Sequence, residues 1–440
     1  MAGASATTGN PSLAQWWSRF DDPLLSRLVV QALAANTSVQ GAEAALRQAR
    51  ALRDVAAAAL LPTVGSVASA QNSTAGGKST GNRFQVGLDA SWELDIFGAS
   101  RSALAASEAT AQASAASLGD VQVSTAAEVA LGYLTLRGAQ ARLAIANDNL
   151  ASQLETLQIT QWREQAGLTT SLEAEQARAQ AEQTRALVPA LQTSIEQSRH
   201  ALAVLTGQPP AALSAVLAEA GPVPQPSDDL ALSLPAETLR QRPDVRAAEA
   251  EVTAAMARVG QAEAQRAPKF NIGGSLGLNA LTLGALTHGA SVVSLLLGSV
   301  SLPVFNGGAL RAQVRAEQAA MDQAGATYKA TVLTALKEVE DALVALRGDR
   351  ERLAHLRLAA EAAGNAALLA RQRYGGGVVD FQTVLDTQRT QLNTQDSVAT
   401  ATVDLSADHV RLYKALGGGW HPNAGEAAAP TQAAPKAPRP

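Results

Sequence analysis

The sequence contains no cysteine, which excludes disulfide staples and thiolate metal sites. Charged residues make up only 17% of its 440 positions and aromatic residues 3%. Lysine and arginine number 35 against 39 aspartates and glutamates, a formal net charge of -4. That balance offers no basic patch of the kind that nucleic-acid binding needs. No apolar run reaches the 18 or more residues of a membrane-spanning helix. The three methionines form no cluster for a soft metal, and the five histidines (His200, His288, His355, His409, His421) lack ligand spacing. GGKST at 76–80 resembles the end of a phosphate loop, but Asn72 stands where its first glycine belongs, and the stretch links two strand-like segments. Nothing here reads as an enzyme, a cofactor site or a metal site.

What the chain has instead is a second copy of itself. LRGAQARLAI at 136–145 matches LRGDRERLAH at 346–355, an offset of 210. SVQGAEAALRQARA at 38–51 aligns with DVRAAEAEVTAAMA at 244–257, and SWELDIFG at 91–98 lies over SVSLPVFN at 299–306. These offsets predict a tandem duplication of about 200 residues. Each copy has a helix of about 20 residues, a proline, two strand-like segments, then a very long helical run and a return helix. From Ala99 to Ala166 no proline interrupts the helical pattern, enough for roughly 100 Å of helix. Gly167 and YGGGVVD at 374–380 mark the two turns, and Pro189 is expected to kink the first return helix. The second long helix carries two adjacent seams. One is Met321, Tyr328, Val332, Ala335, Val339, Ala342 and Leu346; the other is Leu333, Leu336 and Leu343. Two seams fit a helix gripped from both sides, in a bundle or a ring of helices. The N-terminal MAGASATTGNP lacks the basic and apolar regions of a signal peptide. The Pro/Ala-rich 418–440 is expected to be a disordered tail.

Against this helical background, FQVGLDASWELDIFG at 84–98 alternates strictly. Phe84, Val86, Leu88, Trp92, Leu94 and Ile96 share one face; Gln85, Asp89, Glu93 and Asp95 share the other. Such a strand fits a sheet packed on helices, or a sheet with lipid on one side and water on the other. The full-length polar face, the span of about 13 residues and the polar, loop-like QNSTAGGKSTGN at 71–82 favour the lipid reading. Four strands cannot close a barrel, and an open edge cannot face lipid, so several chains must pool their strands. In the second copy, Phe270, Ile272, Leu276 and Leu278 alternate cleanly, whereas Val292, Leu296, Val300, Leu302 and Val304 alternate less cleanly.

Six stretches then carry a family resemblance: WWSRFDDPLLSRLVVQALAANTSVQGAEAALRQAR, WELDIFG, RPDVRAAEAEV, LPVFNGG, RYGGGVVDFQTVLDTQRTQL and LYKALGGGW. Over about 13–420 the chain resembles the outer-membrane factors, the TolC/OprM-like exit ducts of Gram-negative tripartite efflux pumps. The resemblance implies an α+β membrane protein, a homotrimer in which four strands per protomer make a 12-stranded β-barrel continuous with a long periplasmic α-helical barrel. On this chain it implies an N-terminal segment and short helix at 10–62, barrel strands at 63–98, and a helical hairpin at 99–207. A linker and short helix at 208–268, barrel strands at 269–306 and a second hairpin at 307–417 complete the order. It also implies an outer-membrane location, a leader removed from this chain, no cofactor, and two partners: a periplasmic adaptor and an inner-membrane resistance-nodulation-division (RND) transporter. Small molecules would pass through passively. A gate would lie at the periplasmic helix tips, at Asp386, Arg389, Tyr374 and Glu173. The chain departs from the family pattern in lacking a lipid-modified cysteine and in carrying Thr383 where some members have a second carboxylate. Competing expectations are the channel of a type I protein-secretion system and, in a different class, a helical scaffold that conducts nothing.

Overall fold

A computed structural model describes residues 15–75, 78–226, 240–418 and 420. They fall into two compact units. One comprises the chain up to Ala42, Leu118–Pro243 and the chain from Val332; the other comprises Glu43–Ser117 and Asp244–Thr331. In chain order the main elements are α1 (Pro23–Ala35), α2 (Thr37–Ala58), β1 (Thr63–Ala75), β2 (Lys78–Leu94), α3 (Ala99–Gln165) and α4 (Ser171–Leu205). Then follow α5 (Pro243–Ala264), β3 (Lys269–Ala280), β4 (Val292–Ser301), α6 (Ala309–Gly375) and α7 (Phe381–Ala415). Lengths recur: α2 and α5 have 22 residues each, α3 and α6 have 67, and α4 and α7 have 35. Pro189 sits inside α4 without ending it. Among the described residues no helix is long and apolar enough to cross a membrane.

The second unit holds one four-stranded antiparallel sheet in the order β1-β2-β3-β4, so β1 and β4 each have a single neighbour. Directly opposed residues share a face. Leu88 stands between Ser66 and Leu276, Val86 between Ala68 and Leu278, and Phe84 between Ala70 and Ala280. Trp92 faces Ile272 and Leu94 faces Phe270, so the apolar row of β2 continues onto β3. Within the chain this face stays open: Val86 is 48% exposed, Leu88 53% and Leu276 57%. Gly87 pairs directly with Gly277. A Cβ on Gly277 would lie 2.7 Å from the Val86 carbonyl oxygen, and one on Gly87 2.9 Å from that of Leu276. Only glycine permits this close approach of two backbones.

Three readings of the sequence change here. First, β2 ends at Leu94, so Ile96 lies in the turn that leads to α3, not on the strand face. Asp95 is not part of the polar face either. Its carboxylate accepts the backbone N–H groups of Ser100 (3.1 Å) and Arg101 (2.8 Å) and pairs with the Arg101 guanidinium, capping α3. Second, 71–82 is mostly not a loop. Gln71–Ala75 and Lys78–Asn82 continue the β1–β2 ladder, and the Asn72 side chain donates to Asn82 at 2.6 Å. Third, β4 is apolar on both faces. Val293 and Leu295 stand opposite Gly277 and Ser275, in the row that holds Asp89, while Val292 and Leu296 lie on the other face. The expected tail at 418–440 lies outside the described residues except for Gly418 and Trp420, as do residues 10–14 of the N-terminal segment.

The first unit has its main core where α1, α3, α4 and α7 meet. Leu25, Leu28 and Val29 of α1 pack with Val129, Ala130, Tyr133 and Leu134 of α3, Leu202 of α4 and Val410 of α7. Alanine and glycine let these helix backbones approach closely, which is why so alanine-rich a chain still builds a dense core. Trp16 stacks on Tyr413 with ring centroids 5.4 Å apart. Asp22 caps α1 through the N–H groups of Leu24 and Leu25, and its second oxygen accepts the Tyr133 hydroxyl at 2.8 Å. Burial first, and that bond second, push the Tyr133 phenol up to about 12. On α6, Ala335, Val339, Ala342 and Leu346 are buried, and the last three cluster with Leu412 and Leu416 at the end of α7. The second seam is only partly covered by the chain: Leu343 packs against this cluster, whereas Leu333 is 56% exposed and Leu336 43%.

Asp408 of α7 is buried in this unit. One of its oxygens accepts Arg411 at 2.7 Å, and the other is enclosed. Burial first, with the Asp349 carboxylate adding to it against the pull of Arg411, pushes its pKa up to about 6. A raised carboxyl pKa means that the folded chain holds more protons than the unfolded chain between about pH 4 and 6, so stability falls as pH rises through that window. Asp408→Asn is therefore expected to raise the melting temperature at pH 7.5 and to narrow its difference from that at pH 5. An unchanged difference would mean that Asp408 does not titrate there.

Candidate functional site

The sequence-derived gate residues gather where the helical hairpins α3–α4 and α6–α7 turn. Both turns are built alike. Gly167 (φ 68°) and Gly377 (φ 72°) adopt the left-handed conformation just past the ends of α3 and α6. The following residue then donates back across the helix end, Leu168 N–H to Arg163 O at 2.8 Å and Val378 N–H to Arg373 O at 2.9 Å. This glycine-dependent helix stop leaves a tight, rigid tip. Asp380 caps α7 by accepting the Thr383 N–H at 2.8 Å, and the Thr383 hydroxyl donates to the same oxygen. The Thr383 hydroxyl first, and its N–H second, lower the Asp380 pKa. Thr383 thus serves the cap of α7.

Tyr374 and Glu173, which the sequence separates by 201 positions, meet: the phenol donates to the Glu173 carboxylate at 2.7 Å. The Thr169 hydroxyl donates to the same Glu173 oxygen. The Tyr374 ring lies 5.2 Å from that of Phe381, and the Arg163 guanidinium sits 4.6 Å over its face. Burial, then the bond to Glu173, raise the Tyr374 pKa. A small apolar cluster of Ala177, Ala370, Phe381, Val384 and Leu385 backs this junction.

Asp386 and Arg389 sit one helical turn apart on α7, but their contact is loose at 3.5 Å, with both side chains half exposed. Arg389 instead reaches α4, donating to the buried Gln180 side-chain oxygen through Nε (3.3 Å) and Nη2 (3.2 Å). Asp386 also accepts the Gln382 amide at 3.1 Å. Tyr374 to Glu173 and Arg389 to Gln180 are thus side-chain links between the hairpins made by the expected gate residues; Gln388 to Thr156 (3.0 Å) and Arg371 to Ser152 (2.7 Å) join the same hairpins. The sequence alone does not single out Arg163, Thr169 or Gln180. Nothing local marks them, since the contacts of Arg163 and Gln180 lie about 200 residues away. Among the described residues no group of His, Asp or Glu is placed to hold a metal ion. Its chemistry is that of a clasp between helices.

A protein-family profile described as outer membrane efflux protein matches residues 28–208 and 234–418. The chain is 31% identical over 435 residues to Nodulation protein T of Rhizobium leguminosarum bv. viciae, covering 99% of this chain and 89% of that one. It is 32% identical over 412 residues to the toluene efflux pump outer membrane protein TtgF of Pseudomonas putida, covering 92% and 85%. Its fold superposes on that of the outer-membrane channel OprN with a TM-score of 0.89 at 39% identity, covering 92% of each chain.

Proposed function

Because the chain belongs to the outer membrane efflux protein family, among the outer-membrane channels of the TolC/OprM type, we propose that it is the exit duct of a tripartite efflux pump, passing small molecules from the periplasm to the exterior. The observation that carries this reading is the sheet. It has four strands, two open edges and an apolar face that the chain leaves exposed. Unpaired backbone at an edge costs several kcal/mol per group in hydrocarbon. Three protomers, each contributing two strands from either half of the duplicated chain, would close twelve strands into one barrel. Phe84, Val86, Leu88, Trp92 and Leu94 would face lipid, with Gln85, Asp89 and Glu93 toward water. The same assembly gives the exposed Leu333 and Leu336 a neighbouring helix to pack on.

The segments proposed for the barrel are 63–98 and 269–306, and for the helical duct 99–207 and 307–417. Conduction is passive. The duct makes and breaks no bond, and opening requires only that the links at the tips give way. Tyr374–Glu173 and Arg389–Gln180 hold the closed state, and Asp386 adds negative charge on the rim that would favour cations. A periplasmic adaptor engages the tips and an inner-membrane RND transporter supplies the solute. The test is the mass of the detergent-solubilised protein. Three chains per particle are expected; a single chain, stable in plain buffer, would overturn the duct.

A further inference from the structure

Beside the clasp, the first unit contains a cavity of about 360 Å³ between α3, α6 and α7. It is not used in the reading above, although its wall includes Tyr374. Its volume lies in the range of small-molecule sites. Ile159, Leu368 and Val384 give it an apolar wall, and Thr156, Arg163 and Arg371 supply polar groups. The two guanidiniums are its unusual feature. The Nε atom of each is enclosed and has no hydrogen-bond acceptor. Arg371 spends one Nη on the Ser152 hydroxyl at 2.7 Å, and Arg163 makes one long contact of 3.5 Å to the Tyr374 carbonyl. Neither forms a salt bridge with any described carboxylate, although Glu155 lines the same cavity. Two cations that share a partly enclosed space, with donors left over, call for an anion. Aliphatic walls next to them call for an apolar body on that anion.

We propose that this cavity is a binding site for an amphiphilic organic anion, an aryl or alkyl carboxylate, whose carboxylate is held by Arg163 and Arg371 and whose apolar body lies against Ile159, Leu368 and Val384. A bound molecule bridges α3 to α6 and α7 immediately behind Tyr374, so it strengthens the closed tip. That consequence, unlike the site itself, rests on the gate reading.

The test uses the full chain in detergent, titrated calorimetrically with 2-naphthoate and with its neutral amide, 2-naphthamide. One site per chain is expected. Its affinity should be at least tenfold lower for the amide, and at least tenfold lower for the acid in Arg371→Gln. Leu368→Asp, which alters a different wall of the cavity, should weaken the acid to a similar extent. Equal binding of acid and amide, retention of affinity in both variants, or no binding would overturn the site. In a planar bilayer, naphthoate should lower the open probability of the unaltered channel and leave that of Arg371→Gln unaffected by its addition. Binding that depends on Arg371 with no effect on conductance would support the site and overturn the gate assignment.

Discussion

Leu88→Arg is expected to remove the protein from the outer-membrane fraction. Leu88 sits mid-strand, four residues from Phe84 and four from Trp92, with Ser66 and Leu276 beside it. It is 53% exposed in the chain, so the effect does not come from overpacking a core. An arginine on the lipid face near the bilayer midplane costs about 2–4 kcal/mol, and a trimer would carry three. Asp89→Arg is the control. It changes the adjacent residue on the face proposed to meet water, where substitutions are tolerated. Membrane yield and heat-resistant trimer on a gel measure both. Normal yield of Leu88→Arg, or equal loss of both variants, would contradict the assignment of the faces.

The second large effect is expected at the tips. Tyr374→Phe combined with Arg389→Ala should raise the open probability of the channel in planar bilayers far more than Asp386→Ala does. The reason is in the magnitudes. A hydrogen bond to a charged acceptor, as from Tyr374 to Glu173, contributes about 1.5–3 kcal/mol, whereas an exposed ion pair such as Asp386–Arg389 contributes about 0–1 kcal/mol. Counting both interhelical links as made only in the closed arrangement, the double variant loses about 3 kcal/mol. That shifts the closed-to-open ratio on the order of a hundredfold. Glu173→Gln, which keeps an acceptor for the phenol, should have a smaller effect than Tyr374→Phe. An unchanged record for the double variant would remove these residues from any gate.

Much of this was legible in the sequence because periodicity reports burial directly. The alternation from Phe84 to Leu94 gave the strand and its faces, and the long run without proline gave the helix. What failed did so for identifiable reasons. Asp95 and Ile96 extend the alternating pattern past the point where the backbone turns, since a capping aspartate and a strand aspartate look alike in one dimension. Residues 71–75 and 78–82 are polar on both faces, which resembles a loop, yet the ladder is made by backbone groups that any of them possesses. β4 has the opposite fault: aliphatic residues on both faces erase the period of two. At the tips, Tyr374 and Glu173 were named through resemblance, and their contact is real. The resemblance places Asp386 and Arg389 together in the gate, but the closer contacts of Arg389 are to Gln180 on another helix. Local spacing cannot reveal a contact that depends on how two hairpins are laid together.

The direct pairing of Gly87 with Gly277 also bears on how the protein is made. Each outer pair of strands can form soon after its own residues are exported, but β2 meets β3 across about 175 residues of intervening chain. Throughout that interval the nascent first hairpin carries a bare strand edge and an apolar flank, the combination most prone to aggregation. A holding chaperone is therefore most needed between the export of β2 and that of β3, and bead-small residues at the meeting point let the late join proceed without rearranging side chains already in place.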